Sequence, residues 1–150
     1  MVIYRIAKTD YIHDMSGFGV RLYGGRWNRK GVGIIYASET RALAAVEYLV
    51  HVPLSAVPGN LSIASIEIPD DIIPQVISAG DLPANWRNYP APAELAELGT
   101  RWALANETLL LQVPSAVVEH EFNILINPSR LENMIKGTAS SYLTFADWYK

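Results

Sequence analysis

Residues 36–51, YASETRALAAVEYLVH, contain the end of an apolar strand, a polar turn and a helix. Ser38 or Thr40 is suited to cap the helix N-terminus, because a short hydroxyl side chain accepts a hydrogen bond from a free backbone N–H there. Three apolar side chains recur at helical spacing and predict its buried face: Leu43, Val46 and Val50.

Glu47 conflicts with this simple amphipathic pattern. At about 100° per residue, it lies only roughly 40° from Leu43, inside the apolar arc. Burial of an unpaired carboxylate is costly, so a solvated glutamate is expected on the opposite face. Glu47 therefore has a cationic or hydrogen-bonding partner, or lines a cleft, or reaches water from the edge of the arc. The pattern alone leaves these three interpretations open.

The rest of the chain alternates short apolar runs with two helical segments. The second helix is predicted at 93–106, and a weaker helical pattern occurs at 131–135. The glycine-rich segment 17–33 is either a hairpin turn with Trp27 in the core or a loop whose backbone approaches a ligand closely. Strands are predicted at 2–7, 34–36, 61–68, 109–113, 116–118, 122–126 and 142–145, with an edge strand or loop at 72–77. Because no repeat, low-complexity tract or linker interrupts residues 1–150, we expect one domain.

Composition excludes several classes of protein. The 150 residues are half hydrophobic, carry a net charge of -3 and include no cysteine, which rules out a disulfide scaffold and a cysteine nucleophile. The chain has no run of Lys and Arg, so the basic patch expected of a nucleic-acid binder is missing. The chain has no apolar run of membrane-spanning length and no signal peptide, so we expect a cytoplasmic protein. The three histidines lack metal-ligand spacing, so no metal is expected.

Five polar residues stand in apolar or glycine-rich surroundings: Arg5, Arg26, Tyr36, Glu47 and Ser115. Arginines can clamp a pyrophosphate through paired hydrogen bonds, and a tyrosine ring can stack on a flat heterocycle. A carboxylate can stabilise the positive charge that develops on a ribose as its base departs. The set suits an anionic, sugar-bearing ligand without selecting a reaction.

These residues occur in motifs that resemble the RES domain family, the toxins of RES–Xre toxin–antitoxin pairs. The matching features are YRI with Arg5, GGRWN with Arg26, Tyr36 before an S-E-T turn, Glu47 eleven positions later, and Ser115 in VPSAVV, followed by EFNILINP. The resemblance covers nearly the whole chain. It implies an α+β fold like that of ADP-ribosyltransferase toxins, with flanking helices and a split, strongly bent sheet around an NAD cleft.

The resemblance also implies a role for each residue, with NAD+ as the substrate and no metal. Arg5 would hold a phosphate or ribose of NAD+, and Arg26 would make a second anionic contact. Tyr36 would pack against the nicotinamide or its ribose. Glu47 would bind a ribose hydroxyl and stabilise the oxocarbenium-like state, and Ser115 would bond the nicotinamide amide or the ribose. Arg26, Tyr36, Glu47 and Ser115 are thus the expected catalytic residues, and Arg5 joins them in binding.

The expected activity is that of a toxin that cleaves NAD+ at the nicotinamide–ribose bond, as a glycohydrolase or phosphorylase. The alternatives are a protein ADP-ribosyltransferase and a non-catalytic module that binds a nucleotide or a partner. A further alternative is a structural domain in which Arg5 and Glu47 form an internal ion pair. By resemblance, the partner is a helix-turn-helix, Xre-type antitoxin that covers the cleft, with a homodimer as one arrangement within the complex.

Overall fold

The computed structural model describes residues 1–137 and 145–148, where mixed helices and strands confirm the predicted α+β class. The strands are β1 (Val2–Lys8), β2 (Ile35–Ser38), β3 (Leu61–Glu67), β4 (Gln75–Val76), β5 (Leu110–Pro114), β6 (Phe122–Ile126) and β7 (Phe145–Trp148). The helices are α1 (Phe18–Tyr23), α2 (Arg41–His51), α3 (Ala93–Ala105) and α4 (Pro128–Gly137). None of the helices in these ranges is long and apolar enough to cross a membrane.

The strands form one sheet in the order β4-β5-β6-β2-β1-β3-β7. Its neighbours are antiparallel except for β4 and β5, which are parallel. β1 pairs with β3 along its whole length, from Val2 opposite Glu67 to Lys8 opposite Leu61. Between β1 and β2, by contrast, only Tyr4 and Ser38 are paired. The sheet therefore divides at this position, as the resemblance implied.

Both faces of the sheet are covered, because successive strand residues point to opposite sides. One face packs against α4 through Leu131, with the strand residues Ile3, Ile35, Ile124 and Ile126. The opposite face packs against α3 and the glycine-rich loop, and its buried residues include Trp27, Leu95, Trp102, Leu111 and Leu125. Tyr36 packs against this second cluster, so we call that side of the sheet the Tyr36 face.

Helix α2 begins as the sequence indicates but is rotated from the predicted orientation. The Thr40 hydroxyl oxygen accepts a 3.0 Å hydrogen bond from the Leu43 N–H and is the N-cap. Leu43 is 1% exposed, whereas Val46 and Val50 are 37% and 53% exposed, so the predicted apolar face was wrong at two of three positions. Helix α2 packs mainly against β1 and β2, and its buried residues are Leu43 and Ala44, so a narrow strip of the helix is covered.

Two local predictions also differ from the structure. Within segment 17–33, where a hairpin turn or a loop was predicted, residues 18–23 form the short helix α1 between Gly17 (φ 66°) and Gly24 (φ 73°). This helix is too short to show the repeating apolar positions by which a helix is recognised in a sequence. Residues 116–118 form a turn, since the backbone N–H groups of Val117 and Val118 donate to Ser115 Oγ and not to a strand. Of the predicted strand 142–145, residues 142–144 lie outside the described part; β7 begins at Phe145.

Candidate active site

A cavity of about 620 Å³ opens on the Tyr36 face, where β1 and β2 diverge beneath α2. This volume is within the usual range for small-molecule sites. Its polar lining is contributed by the strands, α2, the glycine-rich loop and the segment before α3: Tyr4, Arg26, Tyr36, Ser38, Glu47, Tyr48, His51, Tyr89 and Asn123. Three of the five predicted site residues, Arg26, Tyr36 and Glu47, therefore line one cavity.

Glu47 is half-buried, with a side chain 21% exposed. One carboxylate oxygen, Oε1, accepts hydrogen bonds from Ser115 Oγ at 2.7 Å and from Asn123 Nδ2 at 2.6 Å. The other oxygen, Oε2, lies 4.0 Å from His51 Nε2, one helical turn further along α2. The carboxylate is thus held from the sheet side through one oxygen, while the residue lines the cavity.

Ser115 lies beneath the cavity and not on its wall. It is 1% exposed, and its neighbours Pro114 and Ala116 line the cavity in its place. Its hydroxyl donates to Glu47, and its oxygen accepts bonds from the Val117 and Val118 N–H groups at 3.1 and 2.9 Å. The expected contact between Ser115 and a ligand has no counterpart in this arrangement, because the hydroxyl proton is already used on the carboxylate.

Tyr36 organises the glycine-rich loop. Its hydroxyl donates to Asn28 Oδ1 at 2.7 Å and accepts from the Trp27 N–H at 3.0 Å. Burial raises the pKa of Tyr36 well above its ordinary value, so the hydroxyl stays protonated and can donate. A Cβ at Gly25 would lie 2.8 Å from this hydroxyl, which explains why the second glycine of GGRWN is needed.

Arg26 connects the glycine-rich loop to the segment before α3. Its Nη1 donates to the Trp86 carbonyl oxygen at 2.8 Å and its Nη2 to the Asn88 carbonyl oxygen at 3.3 Å. Burial lowers the pKa of Arg26, while the negative charge of Glu47 opposes that effect. Since a guanidinium carries five N–H donors, Arg26 retains donors beyond these two bonds.

Arg5 is not brought to the cavity. Tyr4 lines the cavity and Arg5, the next residue of β1, points to the opposite face with Ile3. Its guanidinium donates to the carbonyl oxygens of Ile12 and Asp14, and burial lowers its pKa. Among the described residues, no ion pair joins Arg5 to Glu47, so the alternative of an internal Arg5–Glu47 pair is not observed.

A family model of the RES domain matches residues 2–146. The chain belongs to the RES domain family. It is 42% identical over 125 residues to a protein of Sphingobium sp. (strain YBL2) named Prs ADP-ribosylating toxin, covering 82% of this chain and 78% of the relative. It is 40% identical over 129 residues to a Toxin Res of Yersinia enterocolitica, covering 85% and 84%.

The fold of this RES domain is also similar to a chain in the crystal structure of the M. tuberculosis MbcT–MbcA toxin–antitoxin complex. The TM-score is 0.69 at 16% sequence identity, and the alignment covers 98% of this chain and 83% of the other. At this identity the comparison establishes the shared fold.

Some polar residues at this cavity were not singled out from the sequence. Asn123 and His51 line the cavity close to Glu47, and Asn28 holds the Tyr36 hydroxyl. Asn123 is a polar residue among apolar ones in EFNILINP, and Asn28 belongs to the segment GGRWN; these were the available signals. His51 follows Glu47 by four residues, a spacing that places both side chains on one face of a helix, and this was its available signal. In residues 1–137 and 145–148, no group of three His, Asp or Glu side chains is placed to hold a metal ion.

Proposed function

We propose that this RES domain is the toxin of a toxin–antitoxin pair and that it consumes NAD+ by breaking the nicotinamide–ribose bond. The observation that carries the proposal is the geometry of Glu47. Its Oε1 is held by Ser115 and Asn123, and the residue lines a cavity that also contains Arg26. An anchored carboxylate in a partly buried cavity is suited to stabilise positive charge.

In the proposed reaction, the bond between C1′ of the ribose and the pyridinium nitrogen breaks. Its electron pair goes to that nitrogen, which leaves as neutral nicotinamide, and positive charge develops over C1′ and the ring oxygen. Glu47 stabilises this charge through its cavity-side oxygen. A nucleophile then forms a bond to C1′ and loses its proton. Because the carboxylate is positioned before the charge develops, little reorganisation opposes the step.

Arg26 and Tyr36 supply binding in this proposal. The guanidinium of Arg26 has donors left after its two carbonyl bonds, and they suit an oxygen of the pyrophosphate. The hydroxyl of Tyr36 is used by Asn28 and Trp27, so its ring is the part available to a nicotinamide or ribose. Arg5 is left out of the proposed site, and its role is to hold the loop at residues 12–15.

The acceptor of the ADP-ribosyl group defines the second candidate function. Water gives a glycohydrolase and inorganic phosphate a phosphorylase, whereas a protein side chain gives an ADP-ribosyltransferase. The name of the Sphingobium relative, Prs ADP-ribosylating toxin, favours a protein acceptor at 42% identity. All three acceptors require the same departure of nicotinamide, so Glu47 has the same task in each.

The proposed partner is an antitoxin that covers the cavity. The support is the similar fold found in a toxin–antitoxin complex. By family resemblance, this partner is a helix-turn-helix protein of the Xre type, and residues 1–150 act as one catalytic unit. Copurification of the chain with the product of a neighbouring helix-turn-helix gene, together with loss of nicotinamide release in the complex, would test this part.

The central experiment measures nicotinamide released from labelled NAD+ by the purified chain, with and without phosphate. Release without phosphate identifies water as the acceptor, release that requires phosphate identifies a phosphorylase, and, with cell extract added, a labelled protein identifies an ADP-ribosyltransferase. Glu47→Gln should reduce turnover by roughly 100- to 1000-fold, as expected when a main electrostatic contact in the transition state is lost.

The control for this variant is its stability. Gln is isosteric with Glu and its amide oxygen can still accept from Ser115 and Asn123, so the variant should unfold at a denaturant concentration close to that of wild type. No release of nicotinamide by wild type under any of these conditions would refute the proposal. Full turnover by a folded Glu47→Gln protein would refute the role of the carboxylate.

A further inference from the structure

Asn123 has both ends of its side-chain amide bonded. Its Nδ2 donates to Glu47 Oε1 at 2.6 Å, and its Oδ1 is 2.7 Å from Ser38 Oγ. Ser38 is 3% exposed and stands at the end of β2, where Asn123 of β6 is its cross-strand partner. The three residues form one connected series of hydrogen bonds from the sheet to α2.

The direction of this series is determined by the carboxylate. Glu47 only accepts hydrogen bonds when ionised, so the amide nitrogen of Asn123 must face it. The amide oxygen then faces Ser38, whose hydroxyl must donate. Rotation of the amide by 180° would place two acceptors against each other. The carboxylate therefore selects the amide orientation, and the Ser38 hydroxyl anchors the amide oxygen of Asn123 in that orientation.

A second series of donors ends on the same oxygen. The backbone N–H groups of Val117 and Val118 donate to Ser115 Oγ, and Ser115 donates to Glu47 Oε1. Two short bonds, one from the segment that follows β5 and one from β6, fix Oε1 in space and limit rotation of the carboxylate. Oε2 takes part in neither bond and lies 4.0 Å from Nε2 of His51, which also lines the cavity.

We propose that Ser38 and Asn123 are positioning residues that hold the Glu47 carboxylate so that Oε2 alone engages the ribose of NAD+. The inference rests on the proposed function for its substrate and goes beyond it in naming the device that orients the carboxylate. Ser38 acts through Asn123 and Asn123 acts through Glu47.

The test compares Ser38→Ala with Ser38→Thr and Asn123→Ala. Ser38→Ala and Asn123→Ala should lower kcat for nicotinamide release by roughly 10- to 100-fold with little change in KM, because a misplacement of about 1 Å has costs of this order. Ser38→Thr keeps the hydroxyl and should restore most of kcat. Ser65→Ala is the matched control, since Ser65 is also a buried strand serine but its hydroxyl has no hydrogen-bond partner among the described residues.

A second readout does not need turnover. The side-chain NH2 resonances of Asn123, identified by their loss in Asn123→Ala, should exchange slowly with solvent in wild type. Ser38→Ala and Glu47→Ala should each shift these resonances and speed their exchange, whereas Ser65→Ala should leave them in place. Glu47→Ala removes the acceptor at the other end of the same hydrogen-bond series, so the NMR measurement can still be made if Ser38→Ala does not fold.

The two readouts separate this inference from the proposed function. If wild type releases no nicotinamide, the proposed function fails and the NMR response alone decides whether Ser38 orients Asn123. Unchanged kcat and unchanged resonances in Ser38→Ala would overturn the inference. A rise in KM at constant kcat would also overturn it, because Asn123 would then be a substrate ligand.

Discussion

Ser115 Oγ donates a 2.7 Å hydrogen bond to Glu47 Oε1 across 68 residues of sequence. The serine and the glutamate of the family motif therefore meet in a residue-to-residue bond and not through separate contacts with a ligand. The bond also resolves the conflict in α2: Glu47 tolerates its half-buried position because the sheet supplies hydrogen-bond donors to its carboxylate.

Ser115→Ala should reduce both stability and turnover. It removes the donor to Glu47 and the acceptor of the Val117 and Val118 N–H groups, and unpaired buried groups cost about 1–3 kcal/mol. Urea denaturation measures the loss of unfolding free energy, and nicotinamide release measures turnover. The exposed Ser55→Ala is the control and should match wild type in both. Wild-type stability in Ser115→Ala would contradict this account of the turn.

The Tyr36→Phe variant should lose less unfolding free energy than wild type as the pH rises above about 10. Burial keeps the pKa of Tyr36 in the folded state above its unfolded value of about 10. The unfolded chain therefore loses this proton first, so the stabilising effect is complete below pH 10 and declines above it by about 1.4 kcal/mol per pH unit.

At neutral pH the same variant should be less stable than wild type by about 1–3 kcal/mol, since Asn28 Oδ1 and the Trp27 N–H lose their partner. Urea denaturation at intervals from pH 7 to 11 measures both effects. The difference between wild type and Tyr36→Phe should shrink above pH 10, and a constant difference would show that Tyr36 ionises alike in both states.

Gly99→Ala and Gly19→Ala should change stability in opposite directions, although both place alanine in a helix. A Cβ on Gly99 would lie 1.8 Å from the Trp27 carbonyl oxygen, so α3 and the glycine-rich loop must separate, at a cost of about 1–3 kcal/mol or more. A Cβ on Gly19 of α1 meets nothing within 4 Å and should stabilise by up to about 1 kcal/mol. Thermal unfolding of the two variants measures the signs, and a stable Gly99→Ala would disprove the close contact.

The main elements could be predicted because their signals are local. The Thr40 cap, the second helix and the strands of the sheet center depend on residues within a few positions of one another. α1 could not be predicted, because six residues between two glycines do not display a helical period. The orientation of α2 could not be predicted either. Leu43, Val46 and Val50 are all apolar residues at helical spacing, and they differ only in whether other parts of the fold cover them.

By itself, the sequence determined the α+β class, the family and three residues of the cavity, because motifs and periodicity are properties of neighbouring residues. Only the tertiary structure decided that Arg5 faces away from the cavity and that Ser115 and Asn123 share one oxygen of Glu47. The physical reason is that strand pairing sets which side chains share a face. The bonds from Glu47 to Ser115 and Asn123 span 68 and 76 residues, and no local pattern contains them.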